Sequence, residues 1–286
     1  MAYNVDGLTA YAVDNKEVIL GDIVFGNTYG STIPVMEKQL GVKGSARIHP
    51  TSIEANLQDG SGCTPFQNDG GLTITDKTIE TEKVKVNLSF CPDTLIGKFA
   101  EYKVRVAANP DALPFEAEIV EGLVKDINKK VEKKVWEKLG NEAAAEFAWS
   151  DVPNATTAYD RVLEVYKRMD ERVLEDGIIF VSPAVFREYV LNLVDKNLYH
   201  YNPANGALEE IFIPGAGVKV RKANGLEGTT IYGTSPKNMV YATDFMGNEE
   251  EVKIWYSDDN DEYRVKVKFN FGAAFIFSEL VTKGRD

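Results

Sequence analysis

The sequence predicts an α+β fold, and three observations carry that expectation. Residues 114–139 hold one long helical pattern, residues 177–193 read as a strand running directly into a helix, and residues 252–269 alternate as a hairpin. The strand followed directly by a helix suggests a mixed α/β subdomain within it.

The long helix is the clearest element. Pro114 suits its first turn and Gly140–Asn141 its stop. Glu116, Glu118 and Glu121 lead, and Lys129, Lys130, Lys133 and Lys134 follow, as the helix dipole favours. Phe115, Ile119, Leu123, Ile127, Val131, Val135 and Leu139 recur every four residues. Each such step overshoots a turn by about 40°, so six of them turn the stripe by roughly 240°. A helix of this kind changes neighbours along its length. The alternative is an ordinary core helix whose face is broadened by Val120, Val124 and Trp136.

A second helix is expected over residues 156–174, capped by Asn154 or Thr156, with Val162, Leu163, Tyr166, Met169 and Val173 on its apolar face. Gly177-Ile178-Ile179-Phe180-Val181 reads as a short buried strand. Ser182-Pro183 then caps a helix striped by Phe186, Tyr189, Val190 and Leu193. Ile211-Phe212-Ile213 turns at Pro214-Gly215 into Val218-Lys219-Val220. Strands follow at Ile231-Tyr232-Gly233 and Met239-Val240-Tyr241-Ala242. Val252-Lys253-Ile254 and the alternating run Tyr263 to Phe269 form a closing hairpin around the acidic turn Asp258-Asp259-Asn260-Asp261.

The first third of the chain is different. Residues 1–40 mix short apolar patches with Gly21, Gly26 and Gly30 and show no period, so they read as an extended arm, a β region being the alternative. Residues 41–90 read as a long β-hairpin. Its turn-rich tip carries Asp59-Gly60-Ser61-Gly62 and Asn68-Asp69-Gly70-Gly71, and Ile79, Val84, Val86, Leu88 and Phe90 alternate on the return. Too few large apolar residues lie within it to build a core, so it must lean on something else.

Composition narrows the function. The 286 residues are 44% hydrophobic, enough for a sizeable core, and suit one domain with a large insertion or two domains. The net charge of −12 keeps the chain soluble and repels nucleic acid at long range. Cys63 and Cys91 have neither metal spacing nor the density of a secreted scaffold and read as reduced thiols, a single disulfide being the other reading. The start of the chain lacks a signal peptide and no run is long enough to span a bilayer, so folding in a cytoplasm is expected.

No catalytic, cofactor-binding or metal-ligating set can be named. His49 and His200 sit in no triad or metal pattern and read as surface or packing residues. Gly215-Ala216-Gly217 lacks a third glycine and precedes a strand, which rules out a dinucleotide loop. The run Asp258 to Glu262 lacks EF-hand spacing and reads as a solvated turn rather than a cation site. The aromatics, 13 Tyr among them, fall mainly in strand and helix stripes, as core packing requires.

The order of these elements resembles the major capsid protein of tailed bacteriophages, the Hong Kong 97-like fold. The stretches that carry the resemblance are Leu88 to Leu139, Ile178-Ile179-Phe180-Val181-Ser182-Pro183 with its helix, Ile213 to Val220, and Ile231 to Asp244. The resemblance implies an N-terminal arm at 1–40 and an E-loop hairpin at 41–90. It further implies a peripheral domain at 91–176 with its spine helix at 114–139, an axial domain at 177–243 and a closing hairpin of the peripheral domain at 244–286. It implies a structural, non-enzymatic protein that assembles with itself into hexamers and pentamers of an icosahedral head, located in the virion. Scaffolding, portal or decoration proteins are further partners in that reading; packaged DNA lies close without being gripped, and no membrane is involved. Relatives often carry a cleaved N-terminal scaffolding segment; the short arm here implies a separate scaffold or none. Some relatives crosslink a hairpin lysine to an asparagine, and Lys77, Lys83 and Lys85 are candidates by location only. Two alternatives stand beside this one: an encapsulin-type nanocompartment shell, and a monomeric surface- or carbohydrate-binding β protein. An enzyme is the least favoured class.

Overall fold

The structure is a computed structural model, and it describes residues 6–26, 30–57, 70–108, 115–143, 145–198, 209–244, 251–257, 259–260 and 262–286. In chain order the described elements begin with α1 (Asp6–Asp14), α2 (Lys16–Phe25), β1 (Glu37–Leu40), β2 (Ser45–Ile48), β3 (Thr51–Ala55), β4 (Gly70–Ile74), β5 (Lys77–Glu80) and β6 (Glu82–Phe90). Then come α3 (Pro92–Ala108), α4 (Phe115–Gly140), β7 (Ala145–Ala148), α5 (Ala158–Arg168), β8 (Ile178–Val181) and α6 (Pro183–Asp195). The chain continues through β9 (Glu210–Phe212), β10 (Lys219–Lys222), β11 (Ile231–Thr234), β12 (Met239–Thr243), β13 (Glu251–Ser257), β14 (Glu262–Phe275) and β15 (Thr282–Arg285).

Two sheets organise the molecule. The first has five strands in the order β1-β12-β14-β13, with β6 also paired to β14; the second has six, β7-β15-β11-β8-β10-β9. Two separate ribbons, β2 with β5 and β3 with β4, make up the described part of the 41–90 hairpin. The alternation of β14 is the reason it can serve two faces at once. Tyr263, Val265, Val267 and Phe269 are buried against the helices, while Arg264, Lys266 and Lys268 point the other way.

The long helix α4 joins the two sheets. Its first residue, Phe115, meets Phe99 and Tyr102 of α3 at 5.2 and 5.6 Å. Farther along it packs on α1, α2 and β14, and the Asn128 side chain donates to the carbonyl of Asp22 in α2. Near its end Trp136 lies 5.3 Å from Phe180 and 5.1 Å from Tyr232 in the second sheet. The helix therefore changes neighbours along its length. Its buried set blends both sequence readings. Ile127, Val131, Val135 and Leu139 are buried, but at the start Val120 and Val124 take the core positions and Ile119 and Leu123 are only half-buried.

The second sheet is covered on both faces. Ile178 and Phe180 face α4, whereas Ile179 and Val181 face α5 and α6 in a second cluster with Val162, Val165, Phe186 and Tyr189. This explains why β8 is an unbroken apolar run. Ser182 Oγ accepts the Val185 N–H and donates to the Gly228 carbonyl, fixing the strand-to-helix corner as the Ser-Pro pair predicts. Between β11 and β12 the chain crosses from the second sheet to the first. There the buried Asn238 side chain bonds both the N–H and the C=O of Phe277, at 2.7 and 2.9 Å, where the chain crosses back. One amide thus staples both crossings.

Several expectations are corrected. Residues 6–25 are two helices, not an extended arm or a β region. Leu8 and Ala12, Ile19 and Ile23, and Leu20 and Val24 are buried one turn apart, but Gly21 inside α2 masks that period. The 41–90 hairpin is shorter than its sequence pattern, because β6 leaves it to pair with β14 from Glu82↔Phe271 to Phe90↔Tyr263. The second helix is capped by Thr157 through a capping box with Asp160, not by Asn154 or Thr156, and ends at Arg168. The closing hairpin does not end the fold. After β14 the chain crosses over, and β15 sits inside the second sheet between β7 and β11. Helix α3 was not anticipated at all.

Candidate functional site

Among the described residues, no group of three or more His, Cys, Asp or Glu side chains could hold a metal ion, and no helix is long and apolar enough to cross a membrane. His49 is exposed and pairs with Asp76 at 2.6 Å. Cys91 is an exposed free thiol. Gly215 and Ala216 form the turn of a β-hairpin, with Ala216 N–H donating to the Ile213 carbonyl and Gly215 at φ +81°. Cys63, His200, Pro114, Asp258 and Asp261, and the tip residues Asp59 to Gly62 with Asn68 and Asp69, lie outside the described residues.

What the structure presents is surface. The arm is anchored at its base, and its described strands beyond the base are exposed. At the base, Ile79 is buried with Val42, Val240, Ala242 and Ala274 on the outer face of the first sheet. β5 crosses so close over β14 that a Cβ at Gly272 would stand 2.5 Å from the Glu80 carbonyl oxygen, which only glycine avoids. Lys77 completes the anchor: its ammonium reaches Glu142 at 2.9 Å and Ser278 Oγ at 3.3 Å, and the same Glu142 oxygen accepts the Phe275 N–H. Of the three lysines named for crosslinking, Lys77 is therefore engaged in a part-buried ion pair at the arm's root. Lys83 and Lys85 lie on the outer face of the first sheet.

Beyond the base every residue of β3 and β4 is exposed. Their register places Thr51 opposite Ile74, Ile53 opposite Leu72 and Ala55 opposite Gly70. These positions share one face of the ribbon, since alternate residues point the same way. Ser52, Glu54, Gly71 and Thr73 occupy the other. The ribbon is thus amphipathic, with Ile53 at 73%, Leu72 at 62% and Ile74 at 59% exposure on its apolar side. Burying one such side chain stabilises by roughly 1.5–3 kcal/mol, and this chain's described residues leave that stabilisation unused.

An open groove of about 860 Å³ lies between α3, α4 and the inner face of the first sheet. Leu88, Ile119, Leu123, Ile254 and Val265 line it, with Lys98, Glu101, Glu118 and Asp126 also contributing.

One further feature escaped sequence reasoning. The segment Gly30–Thr32 is strapped across the junction of α4 and the second sheet. Glu132 Oε1 accepts both the Thr32 N–H and hydroxyl at 3.0 Å, Trp136 Nε1 donates to that hydroxyl, Glu209 accepts the Gly30 N–H, and Arg221 donates to the Ser31 carbonyl. Glu132 is only 2% exposed, and burial pushes its carboxyl up to about 7 against the pull of these hydrogen bonds. A glutamate in the middle of a helical stripe looks like surface in the sequence, and nothing local marks its partner a hundred residues away.

A hairpin anchored at its root, a long helix joining two sheets and a second unit of sheet and helices make up an α+β fold. No protein-family model matches the sequence, and no curated protein is similar to it. Solved structures are similar in fold. The capsid structure of cyanophage P-SCSP1u shares 10% identity over 88% of this chain and 86% of that one, with a TM-score of 0.55. A virus-like particle from Pyrococcus furiosus shares 10% over 94% and 97%, with a TM-score of 0.54. The satellite phage P4 procapsid, which includes its size determination protein, shares 9% over 95% and 98%, with a TM-score of 0.53. At that level of identity what is shared is the fold.

Proposed function

We propose that this chain is a capsid shell protein that assembles with copies of itself, as hexamers and pentamers, into an icosahedral phage head enclosing DNA. The observation that carries the proposal is the arm, an amphipathic ribbon fixed firmly at its root whose apolar face has no partner within the described chain. Identical copies supply the missing surface, and closed symmetry sums many modest contacts into a stable shell. In this reading residues 41–80 reach over a neighbour, residues 91–176 with most of 244–286 form the peripheral domain around α4, and residues 177–243 form the axial domain. The role is structural and needs no catalytic site. The net charge of −12 suits a wall that lies beside packaged DNA without holding it. A size-setting or scaffolding partner, with portal or decoration proteins, belongs to the same proposal, and the similarity to a procapsid that includes a size determination protein supports it.

Electron microscopy and light scattering of the purified full chain test this directly. Rings of five and six or closed particles are expected; a monodisperse monomer at every concentration and salt would point instead to a surface-binding β protein. A second reading, an encapsulin-type compartment, is favoured by the similarity to the Pyrococcus furiosus particle. Particles from the native source that hold protein and no nucleic acid would select it.

A further inference from the structure

Two carboxylates are buried among the described residues, Glu132 and Asp244, and they are served very differently. Glu132 accepts the N–H and the hydroxyl of Thr32. Asp244, just past the end of β12, is 1% exposed, and neither of its oxygens meets a hydrogen-bond donor among the described residues. An ionised carboxylate withdrawn from water is strongly unfavourable unless positive charge or a set of donors faces it. A group left in this condition calls for an explanation.

The surroundings of Asp244 are rich in oxygen. β1 runs parallel to β12, with Gln39 opposite Ala242 and Leu40 opposite Thr243. Gln39 therefore lies one strand across and two rows back from Asp244, and its buried Oε1 likewise meets no donor among the described residues. Rows so placed hold their Cβ atoms about 5–8 Å apart, within reach of a side chain as long as glutamine. On the other side of β12, the Thr243 hydroxyl donates to the Asn270 carbonyl at 2.8 Å, which sets a second main chain beside the same strand end. The turn Gly41–Gly44 closes round that end: the Val42 N–H donates to the Thr243 carbonyl at 3.1 Å, and both glycines have positive φ. Lys83 stands opposite Asn270 in β6, yet it donates to neither Asp244 oxygen.

We propose that Asp244, together with the side-chain oxygen of Gln39, binds a hard divalent cation, calcium above all. The orphaned atoms are acceptors alone, so what suits them is positive charge. A carboxylate beside amide oxygens is the ligand chemistry of calcium, whereas zinc and its neighbours call for His or Cys. Calcium accepts irregular sets of oxygens at about 2.3–2.6 Å, and magnesium demands a near-ideal octahedron. Water and main-chain carbonyls complete such shells. A Cβ at Gly41 or Gly44 would meet nothing within 4 Å, so the turn leaves an approach from solvent. Val42 of the same turn packs with Ile79 in the arm's root, so a bound ion ties β1, β12 and that root together. The inference does not depend on the shell reading; where that reading holds, cation concentration sets how firmly the arm is aimed.

The test is urea unfolding of the full chain in calcium, in magnesium and in sodium chloride of equal ionic strength, with calorimetric titration of calcium into the folded protein. With one carboxylate in the set, affinity in the range of about 10⁻⁴–10⁻³ M is expected, so calcium at about 10 mM should raise the folding equilibrium constant roughly 10- to 100-fold. Magnesium should do less, and sodium chloride least. Asp244→Asn is expected to abolish the gain and, in calcium-free buffer, to be no less stable than the unaltered chain, because it removes a buried charge. Should that variant fail to fold, Gln39→Met decides: it keeps the length of the side chain, removes the oxygen and is expected to weaken calcium binding at least about tenfold. A chain that calcium stabilises no more than matched sodium chloride would overturn the inference, and so would variants that respond to calcium as the unaltered chain does. Particle formation is read separately by microscopy, so either failure leaves the shell reading standing.

Discussion

The arm and the second sheet are built from the same local material and end in opposite conditions. In β8, Ile178-Ile179-Phe180-Val181 is buried at every residue, with α4 on one side and α5 and α6 on the other. In β3 and β4, Ile53, Leu72 and Ile74 stand at strand positions of equal quality and are exposed at every residue. Strand propensity is comparable in the two. The difference lies in whether the chain brings its own cover. The second unit carries helices whose stripes match its sheet. The arm carries only its root, and its outer half is finished by nothing within the described chain.

That contrast can be broken by mutation, beginning where the effect is greatest. Phe180 is fully buried against Trp136, and Phe180→Ala is expected to cost about 3–5 kcal/mol of subunit stability by urea unfolding. A loss below about 1 kcal/mol would mean that the second sheet is as loosely held as the arm. Next comes the strap. Between pH of about 4.5 and 7, the folded protein keeps a proton on Glu132 that the unfolded chain has released, so stability falls as pH rises through that window. The total change is roughly 3 kcal/mol, and Glu132→Gln should flatten it, as urea midpoints measured at the two ends of the window would show. An unchanged pH profile in that variant would assign the dependence to other groups. Ser182→Ala removes a helix cap and a bond to the Gly228 carbonyl, and about 1–2 kcal/mol is expected to go with them. Smallest on the isolated subunit is Ile53→Ser with Leu72→Ser: no more than about 0.5 kcal/mol in unfolding, yet loss of particles by microscopy. A large stability loss there would show that the arm is part of a core after all.

How much of this was legible follows from what each element depends on. The long helix, the Ser182-Pro183 corner, the β9–β10 turn and the alternation of β13 and β14 were readable because caps, glycines and periods act within a few residues. The arm's lack of a core was readable for the same reason: large apolar residues are simply scarce between Ala46 and Gly71. The N-terminal helices were not, since Gly21 breaks the pattern and what holds them is α4, far along the chain. The transfer of β6 from the hairpin to β14 was hidden because Val84, Val86 and Leu88 alternate equally well for either partner. The outer face of the first sheet was the hardest to see. Lys85, Lys253 and Lys268 come from three separate stretches, and only strand register brings them together.

The pairing of β6 with β14 has a consequence for timing. Glu82 must find Phe271, and in the same sheet Glu37 must find Val240, whereas β8 pairs with β10 and β11, much nearer along the chain. Closing such long loops costs entropy before any contact rewards it, and folds dominated by distant pairings form slowly. The root of the arm rests on Gly272 and Ala274, so the ribbon takes its final aim only when this slow sheet has closed. If identical copies dock through this ribbon, as proposed, a subunit whose first sheet is still open has no aimed arm to offer.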